Sequence, residues 1–248
     1  MLMKFETASS GHSEIAVPES GAPFNPVEDV IYRRRSVRLY KKKQVPEYLV
    51  RRVIEAGRFA PSTGNSQPWK FIVIQDQKMI KDMTDHIVKS CQSLVKMTDY
   101  FSKPGTGWRE RIVNFARLFW QNEFHPNPLG AFTQIAEGKL GVWHGAPTVI
   151  IILIDQRAPS KPLIDVGVAG QNMVLSAHSM GLGTCWVGFV EFLSRSYKWR
   201  KRLNIKSPYR IANSIAIGYP KGTPDGYVKR ETKAIDWYDE NGQFSIKY

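Results

Sequence analysis

Cysteine is scarce in this chain: two in 248 residues, Cys91 and Cys185, with no CxxC pair. This excludes a disulfide-stapled scaffold and leaves iron–sulfur and structural zinc sites without their ligand spacing. A reducing compartment, the cytoplasm, is the expected location. The histidines His12, His86, His125, His144 and His178 show no metal-ligand spacing either, so no metal is expected. HExxH, GxSxG and Walker A patterns are all missing, which removes the usual signatures of zinc hydrolases, serine hydrolases and P-loop nucleotidases. No run of about 18 apolar residues occurs, so neither a membrane-spanning helix nor a membrane partner is expected. Residues Met1 to Phe24 carry Glu6, Glu14 and Glu19 and no hydrophobic core, unlike a secretory signal. Their Ser, Gly and Pro content reads as a flexible arm over residues 1–25.

Acidic residues are also few. Against 35 Lys and Arg stand 22 Asp and Glu, a net charge of +13. An excess of this size suits anionic partners: a phosphate-bearing cofactor, an anionic surface or nucleic acid. The cations are spread along the chain apart from Arg33–Arg35, Lys41–Lys43 and Arg200–Arg202, and no basic helix or nucleic-acid motif stands out.

What is present reads as alternating helices and strands. Asn25-Pro26-Val27-Glu28 has the residues of a capping box, with a first-turn proline, and opens a helix that runs into Arg33–Arg38. A second helix begins near Pro46, with Leu49, Val50, Val53, Ile54 and Gly57 at helical spacing. Trp69 to Ile74 reads as a strand. Helices are expected near 78–97 and 109–123, the latter broken by His125-Pro126-Asn127-Pro128. Pro147 to Asp155 is the clearest buried strand. Asp165 to Met180 reads as a central helix whose Gly167, Ala169, Gly170 and Ala177 permit close backbone approach. Thr184 to Val187 is a strand, Phe192 to Leu203 a short helix and Ile211 to Gly218 a strand, before a tail with Trp237. With no internal repeat and no shift in composition, one α/β or α+β domain over residues 26–248 is expected.

Four segments could carry chemistry. In Arg34-x-Ser36-x-Arg38, side chains two apart on extended backbone share a side and suit a phosphate; a solvated basic turn has the same composition. Ala60 to Trp69 holds Pro61, Ser62, Asn65 and Gln67, whose amides and hydroxyl could bond a heterocycle, although a helix–strand connector also favours such residues. Gly181 to Gly188, with Cys185 and Trp186, could let a flat ligand approach the backbone or could be a helix stop before a core strand. Ile217-Gly218-Tyr219-Pro220 is followed by Lys229-Arg230, which could complete a phosphate site or lie on the surface. Cys185 reads as a small buried hydrophobe. His144, before Gly145-Ala146-Pro147, could line a pocket but reads more readily as a satisfied structural histidine.

These four segments in this order resemble the nitroreductase family, whose pattern runs from an early R-x-S-x-R through a PS-x-x-N-x-QPW block and a GLG helix end to a GYP strand end with downstream Lys or Arg. The resemblance covers roughly residues 26 to 233. It implies an α+β fold, with a central, mainly antiparallel sheet flanked by helices, in an intertwined homodimer. It also implies FMN at the interface and NADH or NADPH as hydride donor to an electron-poor small molecule such as a nitroaromatic or quinone, with no nucleic acid or membrane as partner. By motif position, Arg34, Ser36 and Arg38 correspond to ligands of the phosphate and ribityl end, with Arg38 able to reach the ring instead. Lys229 or Arg230 corresponds to a further phosphate ligand. Pro61, Ser62, Asn65 and Gln67 correspond to the flavin-contacting loop, some of them contributed by the partner chain, and Cys185, Trp186 and Gly188 to the segment along the ring. No side chain is implied as essential acid or base, because the flavin carries the chemistry. The long aromatic-rich region 85–145 falls where substrate lids vary in this family. Reductive dehalogenation and flavin cleavage are the alternatives within the fold; a basic nucleic-acid-binding protein is the alternative outside it.

Overall fold

A computed structural model describes residues 24–102, 126–222 and 233–247, with side chains placed except at 97–102 and 126–129. The chain divides into two compact units, Met1–Arg35 with Gly222–Tyr248, and Ser36–Lys221. Lys229, Arg230, nearly all of the 1–25 arm and the helix expected near 109–123 lie outside the described residues.

The larger unit is built on a four-stranded sheet of β1 (Trp69–Ile74), β2 (Thr148–Asp155), β3 (Gly183–Trp186) and β4 (Tyr209–Gly218). The order is β1-β2-β4-β3, and every neighbouring pair is antiparallel. All of β2 up to its last residue is buried, as its unbroken apolar run requires of a strand covered on both faces. Alternate residues serve two cores. Val149, Ile151 and Leu153 join Cys185, Ile211 and Ala216 on one face; Ile150, Ile152 and Ile154 join Trp69, Ile215 and Ile217 on the other.

Helices cover both faces. The chain continues through α2 (Glu47–Arg58), α3 (Gln77–Ser102), α4 (Pro126–Ala136), α5 (Pro162–Ser179), α6 (Glu191–Ser194) and α7 (Tyr197–Arg202). Helices α2 and α5 bury Val50, Val53, Ala169, Met173 and Ala177 against one face. Residues of α3, α4, α6 and α7, among them Met83, Ile87, Ile135, Leu193 and Trp199, cover the other.

The close approach expected of α5 is real, but not at every small residue. A Cβ on Gly170 would fall 2.2 Å from the Trp186 ring and one on Gly57 2.7 Å from Met173, whereas Gly167 faces open space. The described chain resumes as helix at Pro126, where first-turn N–H groups have no intrahelical acceptor for proline to remove; the break expected after 109–123 lies outside the described residues. One local expectation needs correction. The single helix expected over Phe192–Leu203 is split: Ser196 is extended (φ −95°, ψ 115°), and its hydroxyl accepts from the Trp199 N–H, starting α7 afresh.

The smaller unit contains α1 (Pro26–Arg33) and a hairpin of β5 (Ile235–Tyr238) and β6 (Phe244–Lys247). The capping box at α1 is formed in full, with Asn25 accepting from Val27 and Glu28 N–H groups and Glu28 accepting from the Asn25 N–H. The hairpin, which the tail's sequence did not announce, closes on Asp239, whose carboxylate accepts from the Asn241 and Gln243 N–H groups.

Candidate functional site

The R-x-S-x-R segment enters the larger unit as extended backbone beside the sheet edge. Ser36 bridges Thr184 of β3, and the Val37 N–H donates to the Thr184 carbonyl at 2.8 Å. Val37 is buried against Gly183, where an added Cβ would meet it at 2.7 Å. With Val37 turned inward, Ser36 and Arg38 on either side are both exposed, the alternation that their spacing predicted. No carboxylate pairs with Arg38 among the described residues. Arg34 lies in the other unit.

Further along, Tyr40 is buried and donates its hydroxyl to the Val37 carbonyl at 2.7 Å. Burial, with Cys185 close by, pushes that hydroxyl's pKa far above its ordinary range. Beyond β3, Gly188 is exposed, with open space where a Cβ would point, and gives the backbone of this edge an accessible face. The side chains around it differ in direction. Cys185 is 4% exposed and belongs to one core, while the Trp186 ring packs on Gly170 of α5 on the opposite face. Neither cysteine forms a disulfide among the described residues.

The Pro61–Gln67 loop forms the second half of the candidate site. A 3-10 turn at Thr63–Asn65 places Gly64, Asn65 and Gln67 at left-handed φ of 59°, 54° and 45°. The turn is held from within: the Gln67 N–H donates to Ser62 Oγ at 2.9 Å, and Gln67 Nε2 donates to Asn65 Oδ1 at 3.1 Å. The Asn65 Nδ2 donors and the Gln67 Oε1 acceptor remain to face a ligand. Sequence reasoning missed the anchor of this loop. Asp165, in the first turn of α5 and 7% exposed, accepts from the Thr63 N–H at 3.3 Å. A partner 102 residues away leaves no local signal. Asp165→Ala should cost about 1 kcal/mol in thermal or urea unfolding, the net worth of one part-buried hydrogen bond.

The two halves are far apart in one chain. β3 and β1 are opposite edges of the sheet, about 14 Å apart at three strand spacings. They are also at opposite ends. Ser36 is level with Thr184, Ile217 and Thr148, whereas the loop leads into Trp69, which pairs with Ile154. That adds about 20 Å along the strands.

One residue read as a satisfied structural histidine is open to solvent rather than bonded by its neighbours. His144 is half-buried at a left-handed φ of 53°, and its imidazole has no hydrogen bond among the described residues. Burial first, then Arg38, lower its pKa below the ordinary 6.5. A base with a depressed folded pKa is protonated more readily in the unfolded chain, so the cofactor-free protein should lose stability as pH falls below 6.5. Thermal unfolding on either side of that value, with His144→Asn flattening the difference, checks this.

The residues thus offer an unpaired guanidinium and a hydroxyl beside an exposed glycine backbone, and an amide-lined turn elsewhere. That donor set fits an anionic, flat, oxygen-rich ligand such as FMN. The Nitroreductase family model matches residues 31–219. A 4-nitrobenzoate reductase of Nocardioides sp. (strain LMS-CY) is 30% identical over 86% of this chain and 88% of its own. One from Pseudomonas putida is 26% identical over 77% and 83%. A nitroreductase with bound FMN from Desulfitobacterium hafniense DCB-2 shares the fold, with a TM-score of 0.62 and 21% identity over 84% of this chain and 96% of that one. A family match spanning both edges of the sheet, from α1 to the end of β4, shows that the chain belongs to the nitroreductase family.

Proposed function

We propose that this chain is an FMN-dependent oxidoreductase that passes hydride from NADH or NADPH to an electron-poor aromatic acceptor, a nitroaromatic or a quinone, and works as a homodimer. The observation that carries the reading is the separation of the two half-sites. Ser36, Arg38 and Gly188 occupy one edge of the sheet and Pro61, Ser62, Asn65 and Gln67 the other, so one flavin touching both sets draws them from two chains.

Exposed apolar side chains support a second copy. Phe59, Leu163 and Ile164 are 80%, 65% and 60% exposed around the loop that Asp165 anchors. In the smaller unit, Val27 and Ile31 of α1 and Ile235, Trp237, Tyr238, Phe244 and Ile246 of the hairpin are exposed as well. Apolar surface on this scale marks an interface.

FMN supplies the redox chemistry when bound. The chain's residues bind and orient it. Arg34 and Ser36, with Lys229 or Arg230, hold the phosphate; Arg38 places a fixed positive charge at the ring's pyrimidine edge; Cys185, Trp186 and Gly188 form the backbone along the ring. The purified protein should be yellow and dimeric by sedimentation, with about one FMN per chain released on denaturation, as a shared interface site requires. NADH- and NADPH-dependent turnover on 4-nitrobenzoate, a quinone and a halogenated phenol separates the acceptor classes. A colourless monomer that does not take up added FMN defeats the reading.

A further inference from the structure

We propose that His144 is the charge-compensating residue of the flavin site: its imidazole, beside Arg38, takes up one proton when negative charge is delivered to the cofactor and releases it when that charge leaves. This rests on the FMN reading above.

The geometry begins at Gly218. A Cβ there would meet Pro147 at 2.6 Å and Tyr40 at 2.8 Å, so the turn ending at Pro147 and the extended segment carrying Arg38 come together at the end of β4. Val37, Tyr40, Trp143 and Ala146 are buried in the same core. With Trp143 and Ala146 turned inward, the tight turn between them, at left-handed φ of 53° for His144 and 73° for Gly145, leaves the imidazole half-buried at the surface of that core. There it has an unpaired guanidinium as neighbour and no hydrogen-bond partner among the described residues. Its ring nitrogens are not among the buried side-chain atoms left without a partner, so solvent reaches them.

The surrounding charges set its direction of response. Arg38 is the charge that acts on His144 among the described residues, and it opposes protonation. Tyr40, on the same segment, stays a neutral phenol, and Cys185 of β3 lies against Tyr40 in the core. Among the described residues no carboxylate counteracts Arg38 there, and the lowered pKa favours the neutral imidazole before the reaction. A hydride taken from NADH or NADPH, which leaves as the oxidised nicotinamide, adds one negative charge next to Arg38. That charge offsets the guanidinium, and Nδ1 or Nε2 then takes a proton from solvent. The site's net charge is unchanged by the transfer. When the hydride passes to the acceptor, the imidazole returns the proton.

The test is proton uptake during anaerobic photoreduction of the FMN-loaded protein, followed with an indicator dye in weak buffer near neutral pH. The comparison is with His144→Asn, which tolerates left-handed backbone, and with His144→Gln. Both variants should keep their FMN and take up fewer protons per flavin, by at most the one that a single imidazole binds, with the gap widening as pH falls toward 6.5. The midpoint potential of the wild-type protein should fall more steeply with pH around neutrality than that of the variants. Equal uptake in all three proteins overturns the role of His144 and leaves the FMN reading standing. A wild-type protein that binds no FMN overturns both. If neither variant folds, a wild-type potential whose slope shows no extra proton across the histidine range overturns the proposal.

Discussion

Arg38→Ala is expected to weaken FMN binding by about tenfold to a hundredfold, the effect of removing a charge-assisted contact worth about 1.5–3 kcal/mol. No carboxylate pairs with Arg38 among the described residues, and its side chain is exposed, so the substitution leaves no orphaned partner and opens no cavity in the apoprotein. The loss should therefore appear in cofactor affinity, measured by quenching of FMN fluorescence, while the unfolding midpoint of the apoprotein stays put. Arg38→Lys keeps the charge but not the planar fork and should fall between the two. Unchanged affinity and potential in Arg38→Ala would place the cofactor elsewhere. The same variant also frees His144 of the charge that opposes its protonation, so its imidazole should titrate closer to the ordinary histidine value.

Gly170→Ala should be strongly destabilising, the closest methyl clash among the described glycines. Helices normally gain from replacing glycine with alanine. Here the new methyl would lie 2.2 Å and 2.6 Å from two atoms of the Trp186 ring and 3.2 Å from Ile152. Overpacking of this kind costs about 1–3 kcal/mol, which for a chain of this size lowers the melting temperature by about 2–4 °C per kcal/mol. Because Trp186 leads directly to Gly188 at the candidate ring face, FMN affinity should fall along with stability. Trp186→Leu removes the ring that causes the clash, so the double variant should be more stable than the sum of the single losses predicts. A strictly additive pair would mean that the helix backbone, not the ring, absorbs the strain.

Much of this fold was legible because its signals are local. The capping box at Asn25 and Glu28 needs only neighbouring residues, and the strands at Trp69–Ile74 and Thr148–Asp155 show their apolar runs in sequence. The segment splitting α6 from α7 was misread because Ser196 looks like any helical serine until its hydroxyl is seen capping Trp199. The hairpin at Ile235–Lys247 was missed because its strands are only four residues each, too short for their apolar–polar alternation to stand out.

The order of residues along the chain determined which groups are available: the alternating Ser36 and Arg38, the left-handed amide turn at Asn65 and Gln67, and the glycine that leaves the backbone open at residue 188. Those properties depend on φ/ψ preferences and side-chain chemistry within a few residues. Tertiary structure decided where the groups are spent. Pairing β2 with β4 and β4 with β3 put the two candidate half-sites on opposite edges, Asp165 reached back to fix the amide turn, Trp186 took the space above Gly170, and His144 came to lie near Arg38. Each of these joins segments many residues apart, and such pairings are selected by burial of the whole core rather than by the local sequence on either side.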